Sequence, residues 1–375
     1  MHRFMISLPS TRSADACQAW TDFASMESNA IRARLVDTHQ SIFETLGWFK
    51  NLSQTCPVAG AQVLLLGVDK ADGATLLALR RWRGGKVESL SNYYGSLFGP
   101  VTTDAESATG HAGDFARWLA AHGSSTLRLH PLSHDAPFWK SFAAGLVQQG
   151  YWVDPYFVFG NWYHPCAGVR WTDYLAARPS RLRNTITRTQ KKLFADPAFS
   201  FRISSASTTK TELDQAIADF CAVYARSWKK PEPYPSFIPS LCHLAHAEGW
   251  LRMGVGYLNG APVAAQIWIV KSGIASIFKL AYDHKFAKRG VGTLMSALLT
   301  EHVLDADQVE EIDFLAGDDD YKSEWMDCRR ERFGIVAFKP TTLRGLIAGC
   351  LHFGARLLRR IAPSRNAGRA NTTRA

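Results

Sequence analysis

Residues 311–326, EIDFLAGDDDYKSEWM, begin like a buried strand and end in reactive side chains. Asp313 stands between Ile312 and Phe314, and Gly317 leads into Asp318, Asp319 and Asp320, followed at once by Tyr321 and Lys322. Carboxylates, a phenol and an amine are side chains that exchange protons, which makes this strand end a candidate reaction centre. A second stretch, DHKFAKRGVGTLM (283–295), sets a basic, glycine-containing turn between a strand and a helix. That order suits a phosphate: free backbone N–H groups and the positive end of the helix dipole point at the anion, and glycine lets it come close. Lys288, Arg289, Gly290 and Gly292 stand there, and a plain helix start fits the same residues equally. Neither the Walker A pattern nor G-x-G-x-x-G is present. Ser133, His134 and Asp135 have the letters of a catalytic triad, but three consecutive residues cannot form one.

The elements around these stretches are legible from periodicity. Leu213, Ile217, Phe220, Tyr224 and Trp228 predict an amphipathic helix whose apolar face is core. WLRMGVGYL, PVAAQIWIV and IASIFKLAYD, joined by turns at Asn259-Gly260 and Lys271-Ser272-Gly273, predict a three-stranded antiparallel meander. Val291, Leu294, Met295, Leu298 and Leu299 then predict a helix starting near Gly290, followed by the strand that carries Asp313. Upstream, AQVLLLGVDKADGATLLALRRW reads as a hairpin about Asp72-Gly73, with helices over 112–121 and 138–149 and aromatic strands in YWVDPYFVFGNWY. Between the halves, Ser180 can cap a basic helix with Leu182, Ile186 and Leu193 on one face and Arg183, Arg188, Lys191 and Lys192 elsewhere. It is either a solvated connector or a surface for an anionic substrate.

At 375 residues, two domains are expected, each large enough to bury a core. Hydrophobic residues make up 46% of the chain and charged residues 20%, a globular composition. The longest apolar runs fall far short of the ~20 residues a bilayer span needs, and MHRFMISLPSTRS at the N-terminus lacks a signal-peptide core. The expected setting is the cytoplasm. Seven irregularly spaced cysteines read as free thiols. Cys242, His243 and His246 form a metal-like pattern, but no second pair completes a four-ligand site, and no metal is expected. Of the net +10, eight charges come from residues 333–375, which contain Lys339, Arg344, Arg356, Arg359, Arg360, Arg365, Arg369 and Arg374 and no carboxylate. In that tail Leu343, Leu346, Ile347, Cys350, Leu351, Leu357, Leu358 and Ile361 fall on one helical stripe. Such a helix can lie on an anionic membrane surface through residues 341–361, or dock on its own protein.

The meander, basic glycine turn, helix and following strand resemble the acyl-CoA-binding half of the GNAT acyltransferase superfamily. More narrowly, SNYYGSLFGP, WTDYLAARPSRLRNTITRTQKKL and DFLAGDDDYKSEW resemble the two-domain, FemAB-related branch of CelD-like, cellulose-biosynthesis-associated acetyltransferases. The resemblance implies an α/β fold of tandem GNAT-like domains, each a mixed, mostly antiparallel sheet flanked by helices. Residues 1–165 would form a first domain that is degenerate for the cofactor, 166–340 the catalytic domain and 341–375 the tail. It implies acyl transfer from acyl-CoA, with acetyl-CoA foremost, to an amine or hydroxyl of a small-molecule or glycan-precursor acceptor. Lys288, Arg289, Gly290 and Gly292 would hold the CoA pyrophosphate, although Ala287 stands where the superfamily usually has Gln or Arg. Asp283, His284, Asp313 and Asp318 become general-base candidates, Tyr321 the proton donor to the departing thiolate, and Lys322 a partner of the carboxylates or of the cofactor phosphates. Tyr93, Tyr94 and Arg183 would wall the substrate cleft between the domains. A FemAB-type transferase using aminoacyl-tRNA and a non-catalytic module of a polysaccharide-assembly complex are the alternatives.

Overall fold

Paired residues of positive φ between apolar runs turn the chain back on itself. Asn259 (φ 49°) with Gly260 (φ 76°), and Ser272 (φ 50°) with Gly273 (φ 73°), do so in the computed structural model, which describes residues 17–35 and 41–361. The N-terminal stretch read above and the arginines beyond Ile361 lie outside the described residues. The first half runs β1 (Cys17–Trp20), α1 (Phe23–Glu27), α2 (Ile31–Arg34), α3 (Leu46–Thr55), β2 (Ala61–Lys70), β3 (Gly73–Trp82), β4 (Lys86–Ser89), β5 (Val101–Thr102), α4 (Ala105–Ala121), β6 (Thr126–Ser133), α5 (Pro137–Gln148) and β7 (Trp152–Pro165). The second half follows with α6 (Trp171–Ala177), α7 (Ser180–Phe194), β8 (Phe199–Ser204), α8 (Lys210–Ala225), α9 (Phe237–Ala247), β9 (Leu251–Leu258), β10 (Ala261–Lys271), β11 (Ile274–Tyr282), α10 (Val291–Asp305), β12 (Glu311–Ala316), α11 (Lys322–Trp325) and β13 (Cys328–Phe338). Helix α12 (Leu343–Ile361) closes the described chain.

All the described strands join one 13-stranded sheet, in the order β1-β2-β3-β4-β6-β13-β7-β12-β11-β10-β9-β8, with β5 paired to β3 off this path. Each half contributes an antiparallel meander, then a helix, then a strand parallel to the last strand of its meander: β2-β3-β4-α4-β6 and β9-β10-β11-α10-β12. The halves also exchange their final strands. β13 of the second half lies between β6 and β7 of the first, and β7 pairs in turn with β12. Thus the halves expected as separate domains are two similarly ordered parts of a continuous sheet. On one face Phe278, Ile267 and Leu315 pack towards α3, α8 and α9; on the other Trp268, Ile277, Ile312 and Phe314 share a core with α6, α7 and α10.

Three boundaries differ from expectation. Pro179 rather than Ser180 is the N-cap of α7, and no side chain caps that helix. Lys70 pairs with Gly73, so the first hairpin turns at Ala71-Asp72 rather than Asp72-Gly73. Gly73 is instead a strand residue packed under the start of α4, where a Cβ would lie 2.7 Å from Ser107 Oγ and Thr103 Oγ1. Helix α8 stops at Ala225, and Trp228, expected on its core face, is half exposed against the Tyr282 ring at 4.5 Å.

Candidate active site

Parallel strands β11 and β12 share only three residue pairs, Ile274 with Glu311, Ala275 with Ile312 and Ser276 with Asp313, and then part. Two irregularities accompany the parting. In β11 the register with β10 passes from Lys279 to Ile277, leaving Phe278 as a bulge. In β12 Leu315 takes a left-handed conformation (φ 57°), unusual for a branched residue, and its N–H turns to the Asp313 carboxylate at 2.7 Å. Bulges bend strands and re-aim what they carry. The gap holds a cleft of about 210 Å³ walled by Ile277–Leu280, Phe314–Ala316, Tyr93, Tyr94, Lys229, Asp319, Tyr321 and Lys322. Past Ser276 the main-chain groups of β11 on this side have no neighbouring strand, which leaves them for an extended ligand that docks as a strand would.

The cleft's charges are sorted by one carboxylate. Glu232 accepts hydrogen bonds from Lys279 Nζ at 2.7 Å, from the Tyr94 hydroxyl at 2.7 Å and from the Tyr93 hydroxyl. Burial works to raise the Glu232 carboxyl, but the bonds from Lys279, Tyr224, Tyr93 and Tyr94 outweigh it and hold it at about 2. Lys279 is therefore paired to a permanent anion. Lys229 has no such ion pair among the described residues; its ammonium lies over the Trp228 and Tyr224 rings at 5.6 and 5.9 Å. Burial, reinforced by the nearby Lys279 charge, pushes it down to about 8. Tyr321 packs edge-on against Phe314 at 5.7 Å, and burial, with Asp319 adding, pushes its phenol up to about 12.

Beyond Tyr282, Asp283 caps a 3-10 turn over His284–Arg289 that ends at Gly290 (φ 72°), the N-cap of α10. No side chain caps α10, so its first N–H groups keep their capacity to bind an anion. Lys285 and Lys288 are exposed there, while Arg289 is held by Asp196 at 2.8 Å. Both glycines are also steric requirements: a Cβ at Gly290 would lie 2.9 Å from Thr189 Oγ1, and one at Gly292 2.6 Å from the Tyr282 ring. The turn therefore fits a phosphate-bearing ligand, by an uncapped helix end with lysines beside it.

Several residues singled out from sequence stand elsewhere or are engaged. Asp318 does not line the cleft; Arg329 holds its carboxylate from two nitrogens (2.9 and 2.7 Å) and Trp162 Nε1 from a third (2.9 Å). Arg329 thereby keeps it below the usual carboxylate range, which removes the basicity a proton acceptor needs. Asp313 is buried and bonded to Arg330 and Asn161 at 2.6 Å each. Asp283 is buried and divided between Arg226 at 2.8 Å and the turn N–H of Lys285. Lys322 spends its donors on the carbonyls of Phe314, Ala316 and Gly317 (3.2, 2.7 and 3.2 Å), stapling the strand end instead of reaching for a phosphate. Arg183, which donates to the Ala176 carbonyl, stands on α7 away from the cleft walls. Cys242 is buried, and His246 bonds the Thr208 carbonyl at 2.9 Å. Tyr93, Tyr94 and Tyr321 are in the cleft; Lys229, Glu232 and Lys279 were not foreseen.

The first half's counterpart is closed. β4 and β6 also share three pairs, but Ser89 Oγ then donates to the His130 carbonyl (2.7 Å) and Phe98 N–H to that of Pro131 (2.6 Å), bridging the gap with the SNYYGSLFGP segment. The Asp104 carboxylate caps α4, taking the N–H groups of Glu106 and Ser107. A larger hollow of about 720 Å³, walled by Trp139, Tyr156, Phe157 and Phe333, lies beside α5. Its walls come from β7 and β13, which stay paired along it, and from the start of α5.

Residues 180–323 match a family described as an acetyltransferase (GNAT) domain. FemX is similar in structure over 80% of this chain and 92% of its own, with a TM-score of 0.57 at 9% identity. A conserved protein of unknown function from Bacteroides thetaiotaomicron is similar over 84% and 97%, with a TM-score of 0.51 at 11% identity. A tandem GNAT protein from the clavulanic acid biosynthesis pathway gives 0.44 at 12% identity over 85% and 98%. No curated protein is similar to the chain in sequence. Residues 180–323 are thus similar to a GNAT acetyltransferase domain, and they lie in an architecture of two halves with the same order of meander, helix and parallel strand.

Proposed function

We propose that the protein transfers an acyl group from acyl-CoA, acetyl-CoA first among candidates, to an amine or hydroxyl of an envelope or polysaccharide precursor. The observation that carries this reading is the cleft where β11 and β12 part, with Lys229 and Tyr321 in its wall and the uncapped α10 N-terminus beyond the end of β11. Acyl-CoA supplies an activated thioester carbonyl. The chain's residues supply the rest: backbone amides of Ile277–Leu280 hold the pantetheine, and the α10 turn with Lys285 and Lys288 holds the phosphates. Lys229, near 8, is neutral often enough to take the acceptor's proton, and once protonated it is matched to a thiolate whose conjugate acid lies near ~8.5. Tyr321, pushed up to about 12, is too weak an acid to hand over its proton and acts as a hydrogen-bond donor. Tyr93, half exposed over Lys279, offers a ring face for a sugar-like acceptor. The acceptor class itself rests on the resemblance of the sequence strings to CelD-like proteins, and the cytoplasm remains the proposed setting.

A second reading, FemAB-type transfer from aminoacyl-tRNA, is favoured by α7. Among the described residues no carboxylate pairs with Arg181, Arg188, Lys191 or Lys192, and the helix packs against α10 beside the proposed phosphate turn. Thermal-shift titration with CoA, acetyl-CoA and tRNA separates the readings, since a ligand at a hundredfold excess over its Kd stabilises by roughly 2.7 kcal/mol. Stabilisation by CoA species supports the first and by tRNA alone the second. A response to neither points to a non-catalytic module.

A further inference from the structure

Helix α12 is docked the wrong way round for a helix of a protein surrounded by water. Its inward face is made of small and polar residues and one aromatic, Phe353. Gly349 packs so closely under Trp152 that a Cβ would lie 2.8 Å from the indole, His352 bonds the Asp154 carboxylate at 2.8 Å, Arg356 pairs with the same carboxylate, and Phe353 meets Trp152 edge-on at 6.2 Å. The large apolar residues point away. Leu343 is 76% exposed, Leu346 40%, Ile347 52%, Leu351 70%, Leu357 58% and Leu358 68%. These recur at helical spacing opposite the docked face, so they form one continuous outward stripe. A surface helix of a soluble protein shows the reverse arrangement.

We propose that this stripe is a membrane-surface anchor that lies in the headgroup region of an anionic lipid leaflet. Charge selects this occupant. Residues 333–375 carry eight Lys and Arg and no carboxylate, and Arg344, at the edge of the stripe, sits against the main chain of Arg83. A second copy covering the same stripe would bring the two cationic tails together, whereas anionic headgroups neutralise them. No described helix, α12 included, is long and apolar enough to cross a membrane, so the helix lies along the surface. Its docked face, pinned to β7 through Asp154 and Trp152, would hold the rest of the protein beside the leaflet.

Sedimentation of the full chain with vesicles of phosphatidylglycerol and phosphatidylcholine, and with phosphatidylcholine alone, tests this. The protein should sediment with the anionic vesicles and not the zwitterionic ones, and Leu351→Asp/Leu358→Asp should weaken that partition at least about tenfold with an unchanged Tm. Should that variant melt early, Leu351→Ala/Leu358→Ala carries the same comparison with less perturbation. Failure of the wild type to sediment with anionic vesicles, or unchanged sedimentation of the alanine variant, overturns the proposal. So does a solution dimer of the wild type that either variant converts to monomer, because a second copy would then cover the stripe.

Discussion

Lys229 and Lys279 share one cleft, yet Glu232 holds only Lys279 as an ion pair. If the uncharged Lys229 amine is the working base, kcat/KM should rise with pH to a plateau with a midpoint near 8, and Lys229→Gln should flatten that rise and cut kcat by ~10² to 10⁴. A Lys229→Gln enzyme with the wild-type pH profile removes the lysine from the mechanism. Tyr321→Phe should lower kcat by roughly 10² with CoA affinity unchanged, as loss of one donor to developing charge does, whereas Asp318→Asn should leave turnover within about twofold because Arg329 already occupies that carboxylate. Glu44 gives a stability prediction. Burial raises its carboxyl from 4.5 to about 7, against the pull of Arg332. The unfolded chain therefore loses this proton first, and stability falls as pH rises from about 4.5 through 7. Glu44→Gln should abolish that decline, read as the difference in Tm between pH 5 and pH 8. Tyr321 was legible from its place after a strand end. Lys229 was not, because Lys229-Lys230 before Pro231-Glu232-Pro233 looks like a solvated turn, and its depressed basicity comes from neighbours supplied by distant parts of the chain.

Helices α4 and α10 lead into equivalent parallel strands, β6 and β12, and differ in how they begin. Asp104 fills the donor positions of α4 with its own carboxylate; Gly290 leaves those of α10 free. Lys288→Glu, at an exposed position, should weaken CoA binding by roughly tenfold without lowering Tm, and equal affinity by calorimetry would remove the turn from the binding site. Arg289→Glu is a poorer test, since it sets a carboxylate against Asp196 and should cost stability as well. At this scale the sequence was informative: the meander turns, the start of α10 and the buried face of α7 follow from residue type and spacing. Gly73 and Trp228 misled because their roles depend on packing against α4 and Tyr282, contacts that local pattern does not encode.

The exchange of β7 and β13 makes the halves interdependent. Heating the full chain should give one calorimetric transition, and residues 166–361 expressed alone should fail to fold, because β12 and β13 both lose β7. Two separated transitions, or a soluble folded second half, would contradict the exchange. Periodicity could announce these strands but not which half each would join, since an extended run pairs with whatever edge the topology offers. That same exchange sets a timetable for the ribosome. β6 and β7 emerge early, but the strand that separates them is among the last described residues to be made, so the nascent first half must wait with unmated backbone until Phe338 arrives. For that interval the chain carries an open edge able to recruit any passing strand, and holdase chaperones or rapid translation of the second half become conditions for its yield in the cell.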